Sequence, residues 1–250
     1  MGLRKTTGSI VCPNCGKLVS ANAKQCIHCG KKNPGLWGYG YYIQKILGAS
    51  GMVPVITAVS IGLYVVSLLI DPSAIFQMQG MLGFLSPSGE ALNNLGMTGT
   101  FAMARGRWWT LITAIYLHGG VLHILFNMLW LRQLGHMVEH LYGTARSFLI
   151  FTLAGVTGFL VSDLAGIPFT IGASGSIFGL LGALVYYGRK RGGSFGAAIY
   201  RQVGTWTIVL FIFGFLMPAV NNLAHAGGFA GGVLGAYLFG FQERKAETQN

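Results

Sequence analysis

The sequence predicts an all-α membrane protein: a six-transmembrane-helix bundle preceded by a small cysteine-bearing unit. Three observations predict it. Of 250 residues, 52% are hydrophobic and only 9% are charged, where a soluble domain carries about a quarter charged. The apolar residues gather into six runs of membrane-helix character, and helices satisfy their own backbone groups in hydrocarbon. All four cysteines fall before residue 30, in two close pairs.

Residues 1–34 read as a separate unit. Cys12-Pro13-Asn14-Cys15 and Cys26-Ile27-His28-Cys29 are two C-x-x-C knuckles, each followed by glycine (Gly16, Gly30). Such a pair matches a four-thiolate tetrahedral Zn2+ site of the ribbon type. Disulfides are the alternative, disfavoured in a reducing compartment. His28 is the one further potential ligand and reads as a bystander. A unit this small has no sufficient core, so metal is expected to fold it. Its lysines lack the aromatic–basic interleaving of a nucleic-acid surface, so a protein partner is the better expectation.

Residues 35–52 are a Gly- and Tyr-rich connector, expected to lie as an aromatic belt at the membrane interface. The apolar runs cover 53–70, 108–134, 147–162, 174–187, 204–218 and 222–241, giving a membrane domain of 53–242 and a tail of 243–250. The apolar start near Met52, after a polar and basic stretch, is unlike a cleavable signal peptide. The loop of 71–106 is too apolar for a solvated one (Ile75, Phe76, Met78, 81–85), so amphipathic interfacial helices are expected within it. No tandem duplication of transporter type is evident.

The net charge of +11 follows topology. With six spans, the basic residues of the N-terminal segment, Arg146, 189–191, Arg201 and 244–245 fall on one side, which the positive-inside rule makes cytoplasmic together with both termini. Arg132 lies within the second run as drawn and must snorkel, face a polar cavity or mark that run as too long.

Polar ionisable groups inside such runs point to function. Ser174, in Gly172-Ala173-Ser174-Gly175, opens the fourth run, and its 14 residues as far as Tyr187 span about 21 Å of a hydrocarbon core of about 30 Å. The serine is therefore expected below the outer surface, at a helix start whose free N–H groups suit an oxyanion. His225, in Ala224-His225-Ala226-Gly227-Gly228, lies at comparable depth on the sixth run. A serine with a histidine is the smallest set that generates a nucleophile by proton abstraction. His123 and Asn127, four apart on the second run, share a helix face and could donate to a tetrahedral oxyanion. Interhelical hydrogen bonding is the competing role. His118 reads as structural, and His136 and His140 as solvated. Small residues at Gly175, Gly179 and Gly182–Ala183 on the fourth run, and Gly228, Gly232 and Ala236 on the sixth, would let two backbones approach closely.

These motifs resemble the rhomboid intramembrane serine proteases over roughly 53–242. They are Leu117-His118-Gly119-Gly120-Val121-Leu122-His123-Ile124-Leu125-Phe126-Asn127-Met128, then Gly172–Gly175, then Asn222-Leu223-Ala224-His225 with the glycines as far as Gly232. The resemblance implies a six-helix bundle with a short central fourth helix. It also implies Ser174 as nucleophile, His225 as its base without a carboxylate partner, and an oxyanion hole including His123 and Asn127. Phe178 takes the position where an aromatic ring packs beside the histidine, and Glu139 that of an acid at the inner end of the second helix. The family's frequent Trp-Arg before that helix is here Trp109-Thr110, with Arg107 the nearest arginine, a difference expected to bear on loop packing. Implied substrates are membrane proteins with a transmembrane helix, cleaved without a catalytic cofactor. The competing functions are a rhomboid-like protein that binds such helices without cutting them, and a transporter path lined by His123, His225 and Arg132.

Overall fold

The structure, a computed structural model, describes residues 4–76, 85–217 and 220–241. The chain begins with an antiparallel hairpin of β1 (Ser9–Val11) and β2 (Leu18–Ser20), in which Ile10 pairs with Val19. The short helix α1 (Gly40–Leu47) follows, then α2 (Met52–Ile70). The loop beyond it is largely helical where described, with a 3-10 turn at Pro72–Phe76, α3 (Gly89–Leu95) and α4 (Thr100–Ala104). Met78 and residues 81–84 of the expected interfacial stretch lie outside the described residues. Then come α5 (Thr110–Thr113), α6 (Val121–Tyr142), α7 (Thr144–Leu164), α8 (Ser174–Arg191), α9 (Gly193–Leu216) and α10 (Asn222–Phe239).

Six long helices, α2 and α6 to α10, make the bundle, and α8 is its axis: it packs against α6, α7, α9 and α10. Every residue from Gly175 to Leu184 is buried, as suits a helix that is apolar or small all round. On the periphery, α2 and α9 turn Val59, Val65, Leu69, Ile208, Ile212 and Phe215 outward, the surface a lipid-facing helix presents. By length and hydropathy α2, α7 and α9 qualify singly as membrane spans, and α5–α6 with its 3-10 turn qualifies as a pair bent by 93°. Glycine-rich α10 and basic-tailed α8 do not qualify singly, α8 because Arg189, Lys190 and Arg191 fall within its 18 residues.

Three runs drawn from hydropathy differ from the helices that form. The second, drawn as 108–134, is broken at 117–120, where Leu117 is extended, and its main helix runs on from Val121 to Tyr142. Arg132, His136, Glu139 and His140 dilute the apolar signal there without interrupting the helix, and Arg132 is exposed on its flank. The fourth run continues to Arg191, because Arg189, Lys190 and Arg191 complement the negative end of the α8 dipole. Its 18 residues therefore span about 27 Å rather than 21 Å. The fifth begins at Gly193, eleven positions before the drawn 204, since Tyr200, Arg201 and Gln202 are helical but polar.

Glycine sets the spacing at the centre. A Cβ at Gly228 would overlap the Gly175 carbonyl, one at Gly232 the Gly179 carbonyl, and one at Gly182 the Phe229 carbonyl. The small faces of α8 and α10 therefore mesh backbone to backbone. A second face of α10 meets α7: Gly227 lies on Val161, and Gly231 on Thr157. At the other end of the bundle, the Met52 amide donates to Glu139 Oε1 at 2.6 Å, a carboxylate on the positive end of α2. Gly51, at φ +87°, leaves room for that carboxylate.

Replacing Gly232 by Val should force α8 and α10 apart, at a cost of about 2–3 kcal/mol, seen as a lower Tm in detergent. Gly62→Ala on α2, where a Cβ meets open space, should leave Tm unchanged or slightly raised.

Candidate active site

Ser174 is the first residue of α8, and what places it there is Gly172. Gly172 adopts φ +115°, and a Cβ on it would sit 2.7 Å from His123 Nε2. The loop before the serine is tied down on both sides. Gly172 N–H donates to the Ala114 carbonyl at 2.9 Å, and Thr170 pairs with Thr98 through N–H to O bonds of 2.8 and 3.3 Å. No side chain caps α8, so its first N–H groups, beside the serine, lack intrahelical partners.

The meshing of α8 and α10 brings the imidazole to the hydroxyl: His225 Nε2 lies 2.9 Å from Ser174 Oγ. The Phe178 ring, one turn along α8, stacks on His225 with centroids 4.2 Å apart and planes 13° from parallel. His225 Nδ1 is buried without a hydrogen-bond partner, so no carboxylate orients the ring. His225 is buried while Ser174 is only half-buried.

His123 reaches the same loop, its ring against Gly172, with Nδ1 accepting from Gly119 N–H at 3.3 Å. The His118 ring meets it edge-on at 5.0 Å; His118 is wholly buried, and Tyr116 O lies 3.2 Å from its Nδ1. Asn127 is one turn below His123. One of its amide hydrogens goes to the His123 carbonyl at 2.7 Å, and no bond joins it to Ser174 or His225. The amide keeps its second hydrogen, and its buried Oδ1 has no partner.

Sequence reasoning missed Asn221. Its Oδ1 caps α10 by accepting from Ala224 N–H at 3.1 Å, and its Nδ2 donates to Ser162 Oγ at 2.6 Å and Thr170 Oγ1 at 3.2 Å. One amide thus joins α7, the loop before Ser174 and the start of the helix bearing His225. The available signal was an Asn immediately before an apolar helix, a favoured N-cap. Arg107 clamps the loop between α2 and α6, its Nη1 and Nη2 donating to Asn93 Oδ1 at 3.0 Å and Asn93 O at 2.7 Å. Thr110 shares that packing, its hydroxyl donating to the Arg107 carbonyl at 2.7 Å.

At the other end of the chain the four cysteines converge. Cys12 and Cys29 sulfurs lie 3.7 Å apart, Cys15 and Cys26 sulfurs 3.8 Å, and all four fall within 4.8 Å of one another. A disulfide needs about 2.05 Å, whereas a zinc tetrahedron with bonds of about 2.3 Å has edges of about 3.8 Å. The two knuckles are built alike. Cys12 N–H donates to Lys17 O and Gly16 N–H to Cys12 O, while Cys26 N–H donates to Lys31 O and Gly30 N–H to Cys26 O. The site fits a tetrahedral cation, and exposed His28 stands outside it. Burial pushes the Cys12 thiol up to about 12.

The Rhomboid domain family matches residues 105–241, the stretch that holds Ser174, His225, His123 and Asn127. The chain belongs to the rhomboid family. Rhomboid protease GluP of Bacillus subtilis is 38% identical over 165 residues, 64% of this chain and 32% of its own. RHOMBOID-like protein 1 of Arabidopsis thaliana is 32% identical over 75% of this chain and 53% of its own. Putative rhomboid protease YdcA of Bacillus subtilis is 31% identical over 54% of this chain and 69% of its own. The chain thus spans a third to about half the length of the first two relatives. Membership in this family and the apolar helices make it a multi-pass membrane protein.

If Gly172 sets the rhomboid serine, Gly172→Ala should combine a strained left-handed backbone with contact against His123. A cost of about 1–3 kcal/mol at that loop predicts roughly 10–100-fold slower labelling of Ser174 by a fluorophosphonate, together with a Tm lowered by a few degrees.

Proposed function

We propose that this protein is an intramembrane serine protease that hydrolyses peptide bonds in or near transmembrane segments of membrane proteins, using Ser174 and His225 as a dyad. The observation that carries this reading is the 2.9 Å contact between Ser174 Oγ and His225 Nε2, inside a bundle whose relatives include named rhomboid proteases. An imidazole protonated at Nδ1 accepts the hydroxyl proton at Nε2 as the serine oxygen attacks the scissile carbonyl. The tetrahedral oxygen gains negative charge beside the uncapped N–H groups of α8, the His123 ring and the remaining Asn127 hydrogen. The C–N bond breaks as the imidazolium returns its proton to the leaving amine. Water then attacks the ester, giving up its proton to His225, and the carboxylic acid departs as Ser174 is regenerated. A helical substrate must unwind locally, because a helix keeps its carbonyls in its own hydrogen bonds.

The N-terminal cysteines are proposed to hold Zn2+, which would supply structural charge and shape to a unit with almost no core, without a part in catalysis. The sulfur spacings and the matched knuckles support this. The basic residues of the N-terminal unit, 189–191 and the tail favour a cytoplasmic placement of both termini. The cysteine unit is suited to a protein partner.

Wild-type protein reconstituted with a transmembrane substrate should cleave it, and Ser174→Ala and His225→Ala should each abolish cleavage. Asn127→Ala should retain activity lowered about 10²-fold or more, the scale of losing one oxyanion donor. A fluorophosphonate should label the wild type at Ser174. Absence of both labelling and cleavage in a folded wild type would favour a non-cutting rhomboid that only binds transmembrane helices.

A further inference from the structure

Arg146 is the third residue of α7 and is buried, with 3% exposure. Its Nε donates to the Phe239 carbonyl at 3.2 Å, and its Nη2 lies 3.2 Å from both the Asn33 and Pro34 carbonyls. Among the described residues no carboxylate pairs with it; the ion pair found there joins His136 and Glu139. The position is doubly adverse to a cation. Burial strips its hydration, and the first turn of α7 is the positive end of a helix dipole. Carbonyl dipoles offset a full charge only in part. The two carbonyls its Nη2 meets follow the second cysteine knuckle by only four and five residues.

The backbone that meets Arg146 is strained. Asn33, Leu36 and Trp37 have φ of 43°, 50° and 55°, a region that bulky side chains adopt only when their surroundings hold them there. That turn is continuous with the second knuckle: Asn33 N–H donates to the Lys24 carbonyl at 2.8 Å, as Cys26 N–H does to the Lys31 carbonyl. One guanidinium therefore ties together the strained exit of the cysteine unit, the start of α7 and the last turn of α10.

Resting on the four-thiolate metal reading above, we propose that Arg146 is the counter-ion of the metal–thiolate centre, and that metal binding fastens the cysteine unit to the inner end of α10. Four thiolates around a divalent cation carry about two negative charges in excess, which suits a buried guanidinium with no carboxylate partner among the described residues. Without metal nothing gathers the four sulfurs around one charged centre, and Arg146 loses the counter-charge concentrated there. Metal occupancy then decides whether Phe239, at the end of the helix that bears His225, is clamped or released.

The test uses the full chain in lipid nanodiscs, with zinc affinity measured by competition with a chromophoric chelator and hydrogen exchange followed over 31–38 and 233–241. Arg146→Gln should bind zinc about tenfold or more weakly, the usual scale for losing a partner just outside a metal's own ligands. Arg146→Lys should recover part of that loss. Stripping zinc from the wild type should speed exchange in both segments, to the level that Arg146→Gln shows with zinc bound. A folded Arg146→Gln, by thermal unfolding, that binds zinc as tightly as the wild type and keeps both segments protected would overturn the proposal. Should Arg146→Gln fail to fold, unchanged exchange in the wild type on zinc removal would overturn it equally. A folded wild type that binds no zinc would instead sink the metal reading on which it rests, while the protease reading stands or falls separately on Ser174.

Discussion

The meeting of α8 and α10 without side chains between them is the constraint on which the rest of the structure depends. Gly175 and Gly179 receive Gly228 and Gly232 so closely that a single methyl group at either α10 position would strike a carbonyl oxygen. In lipid, where apolar surface gains little by being buried, such close packing is what holds helices together. The same contact fixes the chemistry. Ser174 precedes the first of these glycines by one residue and His225 precedes Gly228 by three, so the separation of two backbones sets the separation of oxygen and nitrogen.

Around this contact the polar groups behave as a fastening system rather than as scattered exceptions. Asn221 closes the end that holds Ser174 by joining Ser162, Thr170 and the first turn of α10. Thr157 joins α7 to the Gly227 carbonyl at 3.1 Å, and Tyr142 reaches the Ala183 carbonyl at 2.8 Å. Glu139 and Arg146 serve the opposite end. Each bond satisfies a group that would otherwise be costly in a water-poor interior, and all but the Asn221 cap link segments distant in sequence.

The sequence made much of this legible, for a physical reason. Glycines spaced by four on two apolar runs announce close helix contact, and a serine and a histidine beside them stand out because polar groups in hydrocarbon are expensive. The cysteine knuckles were equally plain, since their paired C-x-x-C spacing is the one a tetrahedral thiolate site requires. Less legible were the helix ends. Hydropathy measures lipid contact rather than backbone conformation, so it stopped short of Tyr142 and Arg191 and missed the polar first turns of α9. The break at 117–120 was hidden inside an apolar run. The α7-facing side of α10 and the joints made by Asn221 and Arg146 come from tertiary packing, which no local pattern encodes.

The stacking of Phe178 on His225 has a mechanical consequence. A carboxylate bonded to Nδ1 would hold the imidazole both in its plane and at one angle within that plane. A ring laid flat at 4.2 Å holds the plane and leaves the angle soft, as a thrust bearing supports a shaft while letting it turn. For the proposed dyad, this would let Nε2 swing between the serine oxygen and a departing nitrogen without lifting off its support.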